Sequence, residues 1–158
     1  MPKIVPRLAV ALLTLLALVA TRGVARAAAE DWNDAHVKWQ SYDAGLAEAK
    51  THKRPICLIV YTTWCPHCTN YSKLFANPDV VKKTEAFVMI RLDGDKQAEL
   101  SKKYQPDGSY IPRTYFLAPD GTLDPTLTAE REKFKYFYDE TNPAGILAGM
   151  DRALKKLR

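Results

Sequence analysis

The chain has 158 residues, which is enough for one domain of ordinary size and too few for two. Its residues are 47% hydrophobic and 26% charged, a composition that excludes a wholly disordered chain, a collagen-like repeat and a long coiled coil. Three cysteines are too few for a small domain held together by disulfides, and the formal net charge is +5.

The first 27 residues have the pattern of a secretory signal peptide. Lys3 and Arg7 precede the uncharged run Leu8–Thr21, and an A-x-A cleavage pattern ends at Ala27. This apolar run is shorter than the roughly 20 residues that span a bilayer, so an uncleaved membrane anchor is the less favoured alternative. We therefore expect an exported protein with no stable membrane insertion after cleavage.

The remaining residues, 28–158, are expected to form one domain. Four of the 23 basic residues and none of the 18 acidic residues lie in the leader, so this domain is close to neutral. A domain without a basic patch lacks the electrostatic footprint of a nucleic-acid-binding protein, and that class of partner is excluded.

Hydrophobic patterning predicts alternating helices and strands after an exposed stretch over Ala28–Asn33. Turn residues such as Asn77-Pro78 separate the predicted elements. In chain order these are a helix over Ser41–His52, a strand over Ile56–Tyr61, a helix from the cysteine motif to Ala76, a short helix over Val80–Thr84, a strand over Phe87–Leu92, a helix over Lys96–Tyr104, a strand over Arg113–Leu117, a turn into a strand at Thr122-Leu123, an edge strand or packed loop over Tyr136–Tyr138, and a helix from Ala144.

The order of these elements predicts the sheet. A helix connects the first two strands, which indicates a parallel pair with a right-handed crossover. A tight turn connects the last two, which indicates an antiparallel pair. The expected fold class is α/β, with a mixed sheet of about four strands covered by helices on both faces.

The motif Cys65-Pro66-His67-Cys68 lies where a buried strand passes into a helix. Unpaired N–H groups at a helix start, together with the helix dipole, favour the thiolate of Cys65, which is the attacking species in disulfide exchange. Cys68 lies one turn into the helix and can attack a mixed disulfide to release the bound partner. His67 adds a donor, and when protonated a charge, beside the first sulfur.

Two other uses of the cysteine pair stay open. A zinc site needs four ligands, and the remaining candidates are Cys57, His36, His52 and His67, with no second paired motif. A purely structural disulfide is the other, although so small a ring removes little chain entropy. Cys57 itself is expected to be an inert, buried strand residue.

The run Trp64-Cys65-Pro66-His67-Cys68, followed later by Ile111-Pro112 before a strand, resembles the thioredoxin superfamily. The resemblance implies that Pro112 is cis and faces the cysteine pair, and that backbone beside it binds the substrate peptide. It makes Cys65, Cys68 and His67 the expected catalytic residues, with Cys65 and Cys68 forming the redox-active disulfide. Trp64, Ile111 and Pro112 are the expected substrate-binding residues, and no metal or cofactor is expected.

Three further stretches resemble the small endoplasmic-reticulum thioredoxin-domain and anterior-gradient proteins. These stretches are Trp39–Lys50, Pro106–Arg113 and Lys135–Tyr138, and the resemblance covers most of residues 39–157. The run Pro-Asp-Gly-Ser-Tyr-Ile-Pro-Arg is its more specific part. Arg113, beside Pro112, is expected either to add positive potential at the site or to be exposed and solvated.

The sequence also departs from that family. The Pro-His dipeptide between the cysteines is the pair found in bacterial periplasmic oxidases of the Dsb type, and no KDEL-like signal ends the chain. A glycosylation sequon starts at Asn70, where a glycan would crowd the motif. Ile59 stands where thioredoxins carry a buried aspartate that shuttles a proton for the second cysteine. We expect a bacterial periplasmic location, with the endoplasmic reticulum lumen or secretion as the alternative.

The expected function is thiol–disulfide exchange with cysteine-containing protein substrates, in the oxidising direction, with a redox partner that the sequence does not identify. One alternative is a partner-binding module with little turnover, because some anterior-gradient proteins keep only one cysteine at the motif. The other is Cu(I) handling, because paired thiolates suit that ion.

Overall fold

The computed structural model describes residues 31–157, so the predicted leader lies outside the described residues. The order of elements within this range agrees with the sequence-based expectation except for an added strand at the start and the predicted strand at Thr122-Leu123. The strands are β1 (Trp39–Gln40), β2 (Ile56–Tyr61), β3 (Val88–Asp93) and β4 (Arg113–Leu117). The helices are α1 (Tyr42–His52), α2 (Pro66–Ser72) with a 3₁₀ turn at Lys73–Ala76, α3 (Pro78–Thr84), α4 (Ala98–Lys103) and α5 (Ala144–Lys156).

The four strands form one mixed sheet in the order β1-β3-β2-β4. β2 pairs in parallel with β3 along its whole length, and it pairs antiparallel with β4 from Ile56 to Val60. β1 adds two residues in parallel to the outer side of β3. The predicted α/β class and the mixed four-stranded sheet are therefore confirmed.

The fourth strand differs from the one that the sequence predicts. The predicted strand at Thr122-Leu123 joins the sheet only through a single bridge between Leu117 and Leu123. The fourth strand is instead β1, which has two residues and is too short to show a periodic pattern. Tyr136–Tyr138 is the packed loop of the two predicted possibilities, and its Tyr136 carbonyl accepts a hydrogen bond from the Thr114 N–H at 2.8 Å.

Side chains alternate across β2 and build a hydrophobic core on each face of the sheet. Cys57 and Ile59 face the core under α2, α3 and α5, which we call the first core. Ile56, Leu58 and Val60 face the opposite core, under α1 and α4. All five are fully buried, which explains why the strand reads as a continuous apolar run. The expected helix cover on both faces is thus present, and the cysteine motif belongs to the first core.

The structure describes residues 31–33 of the stretch that the sequence predicts to be exposed; Asp31 is exposed, but Trp32 is buried in the first core. Its ring makes edge contacts with Trp39, Tyr61 and Tyr71, with centroids 5.8, 5.2 and 6.3 Å away. Arg91 lies over the Trp39 ring at 4.9 Å. Aromatic contacts of this kind bury a large apolar surface. Trp32, which follows the predicted leader in the sequence, therefore closes one edge of the first core.

Helix α5, which matches the helix predicted from Ala144, closes the other side of this core with one apolar face. Ile146, Met150 and Ala153 are buried, and Leu147 and Leu154 are partly buried against the same cluster. Among residues 31–157, no helix is both long and apolar enough to cross a membrane.

Gly149 gives a test of how tightly α5 packs. A Cβ atom built at Gly149 would lie 2.7 Å from both Cε1 and the hydroxyl oxygen of Tyr138, whose ring is buried. Gly149→Ala should therefore lower the free energy of unfolding by about 1–3 kcal/mol, measured by urea denaturation. Gly145→Ala on the same helix is the matched control, since its nearest contact would be an ordinary 3.9 Å. The control should be neutral or stabilising by up to about 1 kcal/mol, and equal midpoints for the two variants would contradict the packing.

Candidate active site

The cysteine motif lies where β2 ends and α2 begins. Cys65 is the N-cap residue of α2, with an extended backbone, and Pro66 occupies the first helical turn, where its missing N–H has no partner to lose. The Cys68 N–H is shared: it donates to the Cys65 carbonyl oxygen at 3.0 Å and to the Cys65 sulfur at 3.3 Å. The sulfur thus takes the position that a serine or aspartate oxygen takes at other helix starts. A negative charge on this atom is stabilised there.

The loop before β4 lies against the same sulfur. The Ile111-Pro112 peptide bond is cis, as the resemblance implies. The Cys65 thiol donates a long hydrogen bond to the Ile111 carbonyl oxygen at 3.9 Å. The structure therefore brings Ile111 against the core that contains Cys65 and Cys68, although 46 positions separate Ile111 from Cys65 in the chain. The expected facing of Pro112 toward the cysteine pair stays a prediction.

The two cysteines differ little in exposure but occupy different positions. Both are free thiols; Cys65 is 3% exposed and Cys68 is fully buried. Cys65 lies at the helix start, on the side of the Ile111 loop, while Cys68 lies one turn into the helix and within the first core. This arrangement suits a first cysteine that forms a mixed disulfide with a substrate and a second cysteine that resolves it from within the core.

Trp64 is the exposed side chain beside the motif. It is 69% exposed, more than any other large apolar residue in the range 31–157, and its indole N–H donates to Asp95 at 2.6 Å. Asp95 follows β3 in the turn after Asp93, and nothing in the sequence indicates that it contacts the motif. The role of Trp64 in substrate binding stays a prediction.

His67 faces a loop that the sequence analysis does not connect with the motif. Its Nδ1 lies 2.8 Å from a carboxylate oxygen of Glu140, and its ring packs edge-on against Phe137 with centroids 5.8 Å apart. The other Glu140 oxygen accepts a hydrogen bond from the Asn70 side chain at 3.2 Å. Within the described residues, the hydrogen bond of His67 thus goes to Glu140 and not to the Cys65 sulfur. The catalytic role of His67 stays a prediction, and such a role belongs to an imidazole that is bonded to Glu140.

A pair of hydroxyl groups lies on the inner side of the motif, next to the position of the missing aspartate. Ile59 is fully buried and pairs in register with Thr114 on β4. The Thr114 hydroxyl lies 2.8 Å from the hydroxyl of Tyr71, which is one helical turn after Cys68. Burial raises the pKa of Tyr71 well above its ordinary value, so the phenol stays neutral and cannot act as a base. Position 59 is thus a buried apolar residue, and the hydroxyls nearest to it along β4 and α2 are bonded to each other.

Cys57 is buried in β2, as the sequence predicts. It belongs to the same core as the motif, and burial in apolar surroundings raises the pKa of its thiol. A thiol of this kind is a poor nucleophile, because the thiolate is the reactive form. Among residues 31–157, no group of three or more His, Cys, Asp and Glu side chains is arranged to hold a metal ion.

The expectation for Arg113 as an exposed residue is wrong. Arg113 is 1% exposed; its guanidinium donates to the Gly108 carbonyl at 2.9 Å and to the Ser101 hydroxyl at 3.0 Å. Burial lowers its pKa below the ordinary value. The physical reason is that the loop before Pro112 turns back over β4 and encloses the side chain. Its hydrogen bonds therefore hold the loop that carries Ile111, instead of facing solvent.

A second set of hydrogen bonds holds the same loop. The Tyr110 hydroxyl donates to the Asp107 carboxylate at 2.7 Å and accepts from the Tyr136 N–H at 2.9 Å. Asp107 also accepts from the Lys135 N–H at 2.7 Å. Asp107 and Tyr110 lie in the run that carries the more specific part of the resemblance. That run therefore has a physical role, because its side chains fix the loop beside the cysteines.

Comparisons with known proteins agree with this geometry. Residues 38–119 match a family model described as thioredoxin-like. The anterior gradient protein 2 homologs of Pongo abelii and Homo sapiens are 33% and 32% identical over 128 residues, which are 80% of this chain and 71% of each relative.

Two solved structures share the fold. A thioredoxin from Thermus thermophilus superposes with a TM-score of 0.61 at 23% identity, over 77% of this chain and 89% of that chain. A DsbH oxidoreductase superposes with a TM-score of 0.57 at 20% identity, over 77% of this chain and 86% of its own. At these identities the likeness shows a common fold.

Proposed function

This chain belongs to the thioredoxin-like family, and on that premise we propose that it is an exported thiol–disulfide oxidoreductase acting on cysteine-containing proteins. The observation that carries the proposal is the placement of the Cys65 sulfur. It accepts the Cys68 N–H at the start of α2 and lies 3.9 Å from the Ile111 carbonyl of the neighbouring loop. A reactive sulfur therefore lies beside a length of backbone that a substrate peptide can pair with.

The reaction exchanges one disulfide for another. In the oxidising direction, a substrate thiolate attacks Cys65 in the Cys65–Cys68 disulfide, and the S–S bond breaks as Cys68 leaves and takes up a proton. A second substrate thiolate then attacks the substrate sulfur of the mixed disulfide and releases Cys65. Two electrons pass from the substrate dithiol to the protein, and the substrate gains one disulfide.

The proposed oxidising direction follows from what stabilises the reduced form of the Cys65–Cys68 pair. The helix N–H donor, with any positive charge on His67, lowers the free energy of the Cys65 thiolate, which exists only when the pair is reduced. A stabilised reduced form makes the disulfide form a stronger oxidant. Regeneration of the Cys65–Cys68 disulfide needs a separate redox partner that accepts the two electrons.

The proposed location is an oxidising compartment, most simply a bacterial periplasm. The support is the predicted signal peptide over residues 1–27 and the Pro-His dipeptide between the cysteines. In that compartment a disulfide exchanger meets newly exported chains whose cysteines are still reduced.

The reduction potential of the cysteine pair tests the direction. Equilibration with reduced and oxidised glutathione, followed by acid quenching and thiol labelling, should give a value nearer to the about −120 mV of the Dsb-type oxidase than to the about −270 mV of thioredoxin. Cys57→Ala is the suitable background, because it leaves only the pair to be counted. A potential at or below that of thioredoxin would reject the oxidising assignment.

Trapping of substrates tests turnover against simple binding. Cys68→Ala should accumulate mixed disulfides through Cys65 with a defined set of proteins, because the resolving thiol is gone. These species should disappear on reduction before gel electrophoresis. Cys65→Ala, with Cys68 intact, is the matched control and should capture far less.

Partners that bind equally well when both Cys65 and Cys68 are replaced by alanine would instead favour the partner-binding module. The reason to test this second function is the similarity of the chain to anterior gradient proteins.

A further inference from the structure

Glu140 lies in the loop before α5 and bridges two residues of α2. One carboxylate oxygen is 2.8 Å from Nδ1 of His67, and the other accepts from the Asn70 side chain at 3.2 Å. The Asn70 side-chain oxygen in turn accepts from the Lys73 ammonium at 3.1 Å. Glu140 is therefore held at both oxygens, and its side chain is 16% exposed while that of His67 is 63% exposed.

His67 is fixed from a second side. Its ring stands edge-on against Phe137, which also contacts the Arg131 guanidinium at 5.2 Å from the ring centroid. The imidazole thus has a defined position against the 137–140 loop although most of its surface is in solvent. A free surface histidine next to the catalytic sulfur would instead sample many rotamers.

We propose that Glu140 is a positioning residue that holds His67 against the 137–140 loop and so limits the oxidising power of the cysteine pair. The inference rests on the proposed function, because it concerns the same Cys65 and Cys68. With Glu140 present, the imidazole is bonded to a carboxylate, which offsets any positive charge on the ring, and the ring is turned toward the loop. Less of that charge is then available to stabilise the Cys65 thiolate.

The sign of the effect follows from what holds the imidazole. Glu140→Gln removes the carboxylate that offsets a positive charge on His67 and keeps the ring against the loop. The freed ring can then turn toward Cys65 and donate to its sulfur. A donor or positive charge at the sulfur stabilises the reduced protein, in which the proposed Cys65 thiolate carries the negative charge.

The experiment measures the equilibrium of the full-length mature protein with glutathione. In this reaction the Cys65–Cys68 disulfide and two glutathione thiols give the reduced pair and one glutathione disulfide, so two electrons and two protons are transferred. Glu140→Gln should raise the equilibrium constant for reduction of the protein about two- to fivefold, the size expected for a partly exposed ion pair. Glu99→Gln is the matched control: it also removes one exposed carboxylate from an ion pair, that with Lys102 on α4, and should leave the constant unchanged.

A double-mutant cycle separates positioning from a direct field. In a His67→Ala background, Glu140→Gln should change the constant by clearly less than in the wild type, because the group that Glu140 holds is absent. An equal or larger change in that background would show that the carboxylate acts on the sulfur directly, and would overturn the positioning role.

Failure of the inference differs from failure of the proposed function. If the wild-type protein equilibrates with glutathione but Glu140→Gln leaves the constant unchanged, only the role of Glu140 is wrong. If the wild-type pair forms no disulfide over the whole range of glutathione ratios, the exchange function is wrong and the role of Glu140 with it. Unchanged circular dichroism and thermal unfolding of Glu140→Gln establish that the variant is folded.

Discussion

The hydrogen bond from the Cys68 N–H to the Cys65 sulfur is the contact through which the fold of this protein influences the proposed chemistry. It exists because β2 ends at Tyr61, a short loop follows, and α2 starts with Pro66 immediately after Cys65. The first N–H groups of a helix point outward from its start. The Cys68 N–H is shared between the Cys65 carbonyl oxygen at 3.0 Å and the sulfur at 3.3 Å. In the proposed function, this donor favours a negative charge on the sulfur, which is the form that attacks a disulfide.

Two loops complete the surroundings of that sulfur, and each is held by its own polar contacts. The loop before β4 brings the Ile111 carbonyl to the sulfur, and the buried guanidinium of Arg113 fixes its course by bonding to Gly108 and Ser101. The loop before α5 presents Glu140 to His67. In the proposed function, the motif supplies the reactive atoms, and the two loops set what can approach them and how strongly the reduced form is favoured.

Sequence reasoning predicts the parts that depend on local patterns. β2 and β4 match their predicted bounds because each is a short run of apolar and β-branched residues. The cysteine motif lies at the predicted strand-to-helix junction, and the resemblance supplies the cis bond before Pro112. These features can be found from a few neighbouring residues or from a short family motif.

The features that sequence reasoning misses depend on contacts between distant residues. Trp32 lies next to the predicted cleavage site, and its burial requires the rings of Tyr61 and Tyr71 from elsewhere in the chain. Glu140 is 73 positions from His67, and nothing in its local sequence marks it. For Arg113 the sequence favours exposure, because most arginines are exposed; only the folded loop shows its buried partners.

The central claim is that the fold activates one of three cysteines, and differential alkylation of the reduced native protein tests it most directly. A brief exposure to iodoacetamide at neutral pH, with peptide mass spectrometry, measures the labelling rate of each cysteine. We expect Cys65 to react faster than free cysteine, while Cys57 and Cys68 stay unlabelled until the protein is unfolded. If Cys65 reacts no faster than free cysteine, or if the three label at equal rates in the native state, the helix start does not activate this sulfur and the account is contradicted.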